Sequence, residues 1–177
     1  MKFYIITFIA VASSALFIFQ RMKSSHKIEV GSIVPDFSLY DQNGELFHLA
    51  THLGKHNLVI YFYPKNDTPG CTKEACTFRD MYEDFTNAGA EVIGISSDSR
   101  KSHSEFASKH KLPFTLLSDE DKEVRRLFGV PTNFLGLLPG RVTYIVDKQG
   151  TVRHIFDSQS QAEKHAEESI RILKSLK

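Results

Sequence analysis

Two cysteines, Cys71 and Cys76, are the only thiols in this 177-residue chain, and they stand five positions apart. Cys71 closes the stretch Tyr63-Pro64-Lys65-Asn66-Asp67-Thr68-Pro69-Gly70, which begins where an apolar run stops and ends where a helical pattern starts. A sulfur at a helix start faces unpaired backbone N–H groups and the positive end of the helix dipole, and both favour its thiolate. A thiolate is the nucleophilic form of cysteine. Attack on a peroxide moves one oxygen to sulfur and leaves a sulfenic acid. The departing oxygen develops negative charge, so donors aimed at it lower the barrier. The Thr68 hydroxyl, three residues earlier, can reach the same pocket, although Thr is also an ordinary helix cap. Arg141, just before a core strand, is the candidate cation, because Arg stays charged and presents a rigid fork of donors; from position alone it could equally be a surface residue. Glu74, one turn into the helix, could orient that fork or simply complement the dipole.

Cys76 sets a geometric condition. On a regular helix five residues rise roughly 7.5 Å and point about 140° apart. A disulfide needs Cα atoms within about 7 Å and facing Cβ vectors. A bridge between Cys71 and Cys76 therefore requires the first one or two turns to unwind. Cys76 aligns with Thr72, Arg79, Asp80 and Glu83, a polar face open to a reducing partner.

The elements that must position these groups follow from periodicity. Phe37–Leu39 and Leu46–Leu49 predict a hairpin around Asp41-Gln42-Asn43-Gly44, since Asn-Gly is a strong turn signal. Asn57–Tyr63 predicts a buried central strand ended by Pro64. A helix is expected from about Cys71 to Asn87, with Ala75, Phe78, Tyr82 and Phe85 on one face and Gly89 as its stop. Val92–Ile95 and Phe114–Leu117 read as strands, and Lys101–Lys111 and Glu120–Phe128 as helices. Val142–Val146 and Val152–Phe156 form a second hairpin, and Ala162, Ala166, Ile170, Leu173 and Leu176 make the stripe of a last helix. Strand–helix–strand early and a hairpin late imply an α/β chain with a mixed central sheet flanked by helices on both faces. His103, His110 and His165 fall on predicted helices and receive no role.

Composition narrows the class. Lys and Arg number 22 against 21 Asp and Glu, a balance that disfavours nucleic-acid binding. Two cysteines supply half of a structural zinc site and too little for a disulfide-stapled scaffold, so neither metal nor cofactor is expected. No seam-like repeat suggests a large assembly, and a monomer is expected. Residues 3–19 are almost wholly apolar, flanked by Lys2, Arg21, Lys23 and Lys27. That length predicts an N-terminal hydrophobic helix acting as a membrane anchor; the alternative is an export signal removed by cleavage. The denser positive charge on the C-terminal flank favours a cytoplasmic catalytic domain. The organisation read from this is 1–22 anchor or signal, 23–27 polar joint, 28–177 catalytic domain.

The chain resembles the peroxiredoxins, most of all the peroxiredoxin Q or bacterioferritin comigratory group. The resemblance rests on Pro64-x-x-x-Thr68-Pro69-Gly70-Cys71-Thr72-Lys73-Glu74-Ala75-Cys76, with Phe62-Tyr63-Pro64-Lys65, Glu91–Ser96, Leu112–Asp119 and Pro139–Tyr144, and spans about Ile28 to Leu176. It implies a thioredoxin-like fold and an antioxidant enzyme that reduces hydrogen peroxide and organic hydroperoxides to water and alcohols. It further implies Cys71 as the peroxidatic cysteine, Cys76 as the resolving one in a Cys71–Cys76 disulfide recycled by thioredoxin, Thr68 and Arg141 as peroxide ligands, and Pro64 as a shield against water. Two other readings stay open on the residues alone. One is a membrane-tethered thiol–disulfide oxidoreductase, which would normally carry Cys-x-x-Cys; the other is a redox-sensing or holdase-like binding protein.

Overall fold

The structure is a computed structural model that describes residues 28–133 and 138–176. The expected hydrophobic helix over 3–19 and the joint at 23–27 lie outside the described residues.

The strands are β1 (Ser38–Asp41), β2 (Leu46–His48), β3 (Asn57–Phe62), β4 (Ala90–Ser96), β5 (Thr115–Ser118), β6 (Thr132–Asn133), β7 (Leu138–Pro139), β8 (Val142–Val146) and β9 (Val152–Asp157). The helices are α1 (Pro69–Asp80), α2 (Tyr82–Asn87), α3 (Arg100–His110), α4 (Glu123–Leu127) and α5 (Ala162–Ser175). Among the described residues, one mixed sheet runs in the order β2-β1-β5-β4-β3-β8-β9, and β6 and β7 pair separately. β3, β4 and β5 are parallel, while β8 runs antiparallel to β3, with Ile60 opposite Tyr144.

β3 lies deep in the sheet because its apolar run has no polar side to show water. Leu58, Ile60 and Phe62 pack on one face with Phe37, Phe47, Val124 and Phe128; Val59, Tyr61 and Tyr63 pack on the other with Phe78, Phe85, Phe106, Ala166 and Leu173. Since β3, β4 and β5 advance in one direction across the sheet, right-handed crossovers place the connecting helices on the same face. α1, α2, α3 and α5 accordingly share the second core, and the opposite face is covered by α4, a short 3₁₀ turn and N-terminal chain. Helices do flank both faces, but unevenly.

Both hairpins form where their turn residues predict. Gly44 and Gly150 take positive φ (86° and 81°). Asp41 and Asp147 each accept two backbone N–H bonds across their turns, at 2.8 to 2.9 Å.

The helix carrying the cysteines departs from expectation at both ends. It begins at Pro69, so Cys71 is its third residue; proline suits the first helical position because its missing N–H would be unpaired there anyway. It breaks at Met81 (φ −101°, ψ 9°), where neither glycine nor proline marks the sequence. α3 ends at Lys111, which turns left-handed (φ 52°) before Pro113 is reached. α4 is shorter than the expected 120–128 span, since the Asp119 carboxylate accepts the N–H groups of Val124 and Arg125 and starts the helix late. Among the described residues no helix is long and apolar enough to cross a membrane. α5, the longest at 14 residues, covers about 21 Å, short of the ~30 Å apolar thickness of a bilayer.

Candidate active site

The carboxyl end of β3 and the first turn of α1 form the site. Pro64, half-buried, ends β3 because it offers no N–H to continue the ladder. The next residues are tied down from α3. Asn66 is buried: its backbone N–H reaches the Asp98 carboxylate (2.9 Å), its side-chain Nδ2 donates to Ser102 Oγ (2.9 Å), and its side-chain Oδ1 accepts from the Tyr63 hydroxyl (2.8 Å). Asp67, in left-handed geometry, pairs with Lys109 at 2.6 Å. Chiefly through that Lys109 bond its carboxyl is held below the usual range.

Thr68 occupies the N-cap position with extended backbone, and its carbonyl accepts the first intrahelical bond from Thr72 (2.9 Å). Its hydroxyl does not cap the helix; it donates to the Lys65 carbonyl (3.1 Å).

Cys71 is 1% exposed, and both cysteines are free thiols. Arg141, itself buried, brings Nη2 to 3.3 Å from the Cys71 sulfur, and its Nη1 donates to Oε2 of the fully buried Glu74. Its Nε donates to the Gln159 carbonyl (3.4 Å). The structure thus brings Cys71, Glu74 and Arg141 into one contact set, with Thr68 and Pro64 on the adjoining loop. Burial works against the charged guanidinium, but Glu74 and Cys71 beside it outweigh this and raise its pKa. For Glu74 burial prevails over the pull of Arg141, and its carboxyl is pushed up to about 8. Cys76 lies on the outer face of α1, half-exposed, with Arg79 against its sulfur.

Several residues of the site escaped the sequence reading. Gly70 is one: a Cβ there would meet Arg141 Nη2 at 3.1 Å. Gly140 is another, since a Cβ there would lie 2.4 Å from the Pro131 carbonyl, which also accepts the Gly140 N–H (2.8 Å). A glycine directly before each candidate residue was an available signal of close approach. Arg125 is buried and donates to the carbonyls of Tyr63 (2.9 Å) and Gly140 (3.1 Å), joining the end of β3 to the residue before Arg141. His165 is fully buried beside Glu74, with Nδ1 3.6 Å from Oε1. Its place between Ala162 and Ala166 on the apolar stripe of α5 was the visible hint. His103 is also buried, 3.2 Å from the Tyr63 hydroxyl and from the Asn66 amide.

A buried thiol in the first turn of a helix, touched by a carboxylate-braced guanidinium at the carboxyl edge of a thioredoxin-like sheet, defines a thiol-dependent peroxidase. The chain belongs to the AhpC/TSA family, whose model matches residues 30–155. It is 54% identical over 151 residues to a chloroplastic peroxiredoxin Q of Sedum lineare, covering 85% of this chain and 81% of that protein. Peroxidoxin BcpB of Mycobacterium tuberculosis has a similar structure (TM-score 0.79, 35% identity, 85% of this chain and 99% of that one). So has the bacterioferritin comigratory protein of Xanthomonas campestris, described for alkyl peroxide reduction (TM-score 0.75, 35% identity, 84% and 97%). The resemblance to the peroxiredoxin Q group and the thiol peroxidase activity it implies both hold.

The expected localisation does not hold. Residues 3–19 predict a membrane-anchored protein with a cytoplasmic catalytic domain, or an exported one. The peroxiredoxin Q relatives are instead chloroplastic by name, and no described helix has the length or apolar surface to span a bilayer.

Proposed function

We propose that Cys71 is the nucleophile that reduces hydroperoxides and Cys76 the thiol that resolves the product. The observation that carries this reading is the 3.3 Å contact from Arg141 Nη2 to the Cys71 sulfur, with the same guanidinium clamped by Glu74. A cation there stabilises the thiolate before reaction and the departing oxygen during it. Thiolate attacks the terminal oxygen of ROOH; the S–O bond forms as the O–O bond breaks, and RO⁻ leaves and takes a proton to give ROH. Cys71 is then a sulfenic acid. Thr68, whose hydroxyl is one torsion away from its bond to Lys65, holds the peroxide with Arg141, and Pro64 keeps water from the sulfur.

Cys76 then attacks the Cys71 sulfur, the S–S bond forms and water leaves. Both cysteines lie inside one continuous helix, Pro69–Asp80, so this step requires its first turns to open. An external dithiol of the thioredoxin type reduces the disulfide by exchange, gaining access through the half-exposed Cys76. No resident cofactor enters the scheme. Every group in it comes from residues 28–177 of a single chain, so a monomer is sufficient.

Stopped-flow oxidation by hydrogen peroxide and an alkyl hydroperoxide tests the roles. Cys71→Ser should abolish the reaction. Cys76→Ser should form the sulfenic acid normally but recycle slowly with thioredoxin and its reductase. Undiminished peroxide consumption by Cys71→Ser would defeat the assignment.

A further inference from the structure

The Glu74 carboxylate has two oxygens, and only one faces Arg141. Oε2 accepts from the guanidinium, while Oε1 is completely buried and accepts no hydrogen bond. A buried acceptor that nothing serves is destabilising. Nδ1 of His165 on α5 lies 3.6 Å from it. The imidazole is fixed from two further sides: its Nε2 lies 2.9 Å from the Ser158 carbonyl, and Nδ1 lies 2.7 Å from the Thr143 hydroxyl on β8. The ring edge of Phe156 closes a fourth side, with centroids 4.7 Å apart.

These contacts set the tautomer. A carbonyl only accepts, so Nε2 carries the proton toward Ser158. Burial holds the imidazole down to about 4, so it is neutral near pH 7 and Nδ1 is bare. Nδ1, which accepts from the Thr143 hydroxyl, and Glu74 Oε1 then face each other as two acceptors across 3.6 Å, a contact outside hydrogen-bond distance. A proton held on the carboxyl, which burial pushes up to about 8, eases the repulsion between these two acceptors and lets Oε1 rest against the imidazole. The result is a continuous line of polar contacts: Ser158 carbonyl, His165, Glu74, Arg141, Cys71 sulfur.

We propose that His165 is a positioning residue of the peroxidase site: fixed by Thr143 and Ser158, its imidazole backs Glu74 Oε1 and so sets the orientation of the carboxyl that aims Arg141 at Cys71. This rests on Cys71 being the reacting thiol. The groups facing the imidazole are Glu74 from α1, Arg141 at the head of β8, Thr143 in β8, and Phe156 and the Ser158 carbonyl at the end of β9. The Lys73–Glu163 pair (2.9 Å) bridges α1 and α5 on the exposed side and takes no part.

The test compares His165→Gln and His165→Asn in the full chain. Asn keeps a polar atom near the place of Nδ1; Gln reaches toward Ser158 but leaves Glu74 unserved. A misplacement of about 1 Å in a reacting group costs about 100-fold in rate, and a carboxylate loosened on one oxygen should cost about a tenth of that. His165→Gln should therefore lower the rate of Cys71 oxidation by hydrogen peroxide about tenfold, and His165→Asn should recover most of the loss.

The loss should be larger toward peroxide than toward iodoacetamide: both need the thiolate that Arg141 stabilises, but alkylation develops no oxyanion for Arg141 to meet. The wild-type peroxide rate should also show an inflection with pH that His165→Gln lacks. If His165→Gln does not fold, Thr143→Val carries the same comparison, with the imidazole present but unfixed. Equal losses toward peroxide and iodoacetamide, or an unchanged pH profile, would show a merely structural histidine and overturn the proposal. A wild-type Cys71 inert to peroxide would instead defeat the reading on which it rests.

Discussion

Gly70 and Arg141 are in contact with no space between them for a side chain: a Cβ on Gly70 would stand 3.1 Å from Arg141 Nη2. The guanidinium cannot yield easily, since Glu74 holds one nitrogen and Cys71 the other. Gly70 has no positive φ, so alanine suits its backbone and should even favour the helix by up to ~1 kcal/mol. Gly70→Ala is therefore expected to keep or raise the melting temperature while slowing peroxide reduction about tenfold by displacing Arg141. Stopped-flow rates beside a thermal melt check the split; a full-speed variant would show that the guanidinium need not sit where it does.

Opening of α1 during turnover is visible in amide exchange. In the reduced protein residues 72–80 should be protected as one helix. After one equivalent of peroxide the first turns should lose that protection, while the buried strand β3 keeps it. Mass spectrometry of exchange in the two states decides. Full retention across α1 in the disulfide form would contradict the regular-helix geometry that separates positions five apart.

Acid should destabilise the fold through His165. Its ordinary pKa is 6.5, and burial, helped by Arg141, holds it near 4 in the folded chain. Between these values the unfolded chain takes up a proton that the folded chain excludes, so stability falls as pH falls. The contribution is fully present above about pH 6.5, is lost as pH drops through about 4, and amounts to on the order of 3 kcal/mol. Glu74, held at about 8 from an ordinary 4.5, works in the opposite sense over part of this range, so the effect is read as a difference: in urea denaturation from pH 7 to 4 the wild type should lose stability relative to His165→Gln.

Arg125 is expected to matter more for the frame than its distance in sequence suggests. Arg125→Met leaves the Tyr63 and Gly140 carbonyls without their donor, a cost of about 2–3 kcal/mol. Since Gly140 precedes Arg141, the peroxide rate should fall as well. Denaturation and kinetics on one preparation measure both effects.

Tyr61 should behave in the opposite way. Its ring is wholly buried and stacks on Phe78 (centroids 4.6 Å apart), yet its hydroxyl has no hydrogen-bond partner. Tyr61→Phe keeps the stacking and removes an unpaired group, so the variant should be more stable by about 1–2 kcal/mol. A destabilised variant would reveal a partner for that oxygen, such as a buried water.

Much of this protein was settled by sequence alone. The apolar run at Leu58–Phe62, the Asn-Gly turn and the stripe of α5 rest on periods of two and 3.6 residues and on local turn chemistry, which act within a few positions of the chain. Cys71 and Cys76, and the conflict between a regular helix and a disulfide, could be read from spacing. Arg141 was a candidate by its place before a core strand, but position alone could not separate it from a surface cation; the resemblance to a known family did. What only the tertiary structure decided is where burial falls on polar residues. His165 and Arg125 look like ordinary helix charges until α5 and α4 pack on opposite faces of the sheet. The Glu74 carboxylate and the Arg141 guanidinium become a fixed pair only when residues 67 positions apart meet in a space closed to water. Electrostatic strength depends on that exclusion of solvent, and no short stretch of sequence carries it.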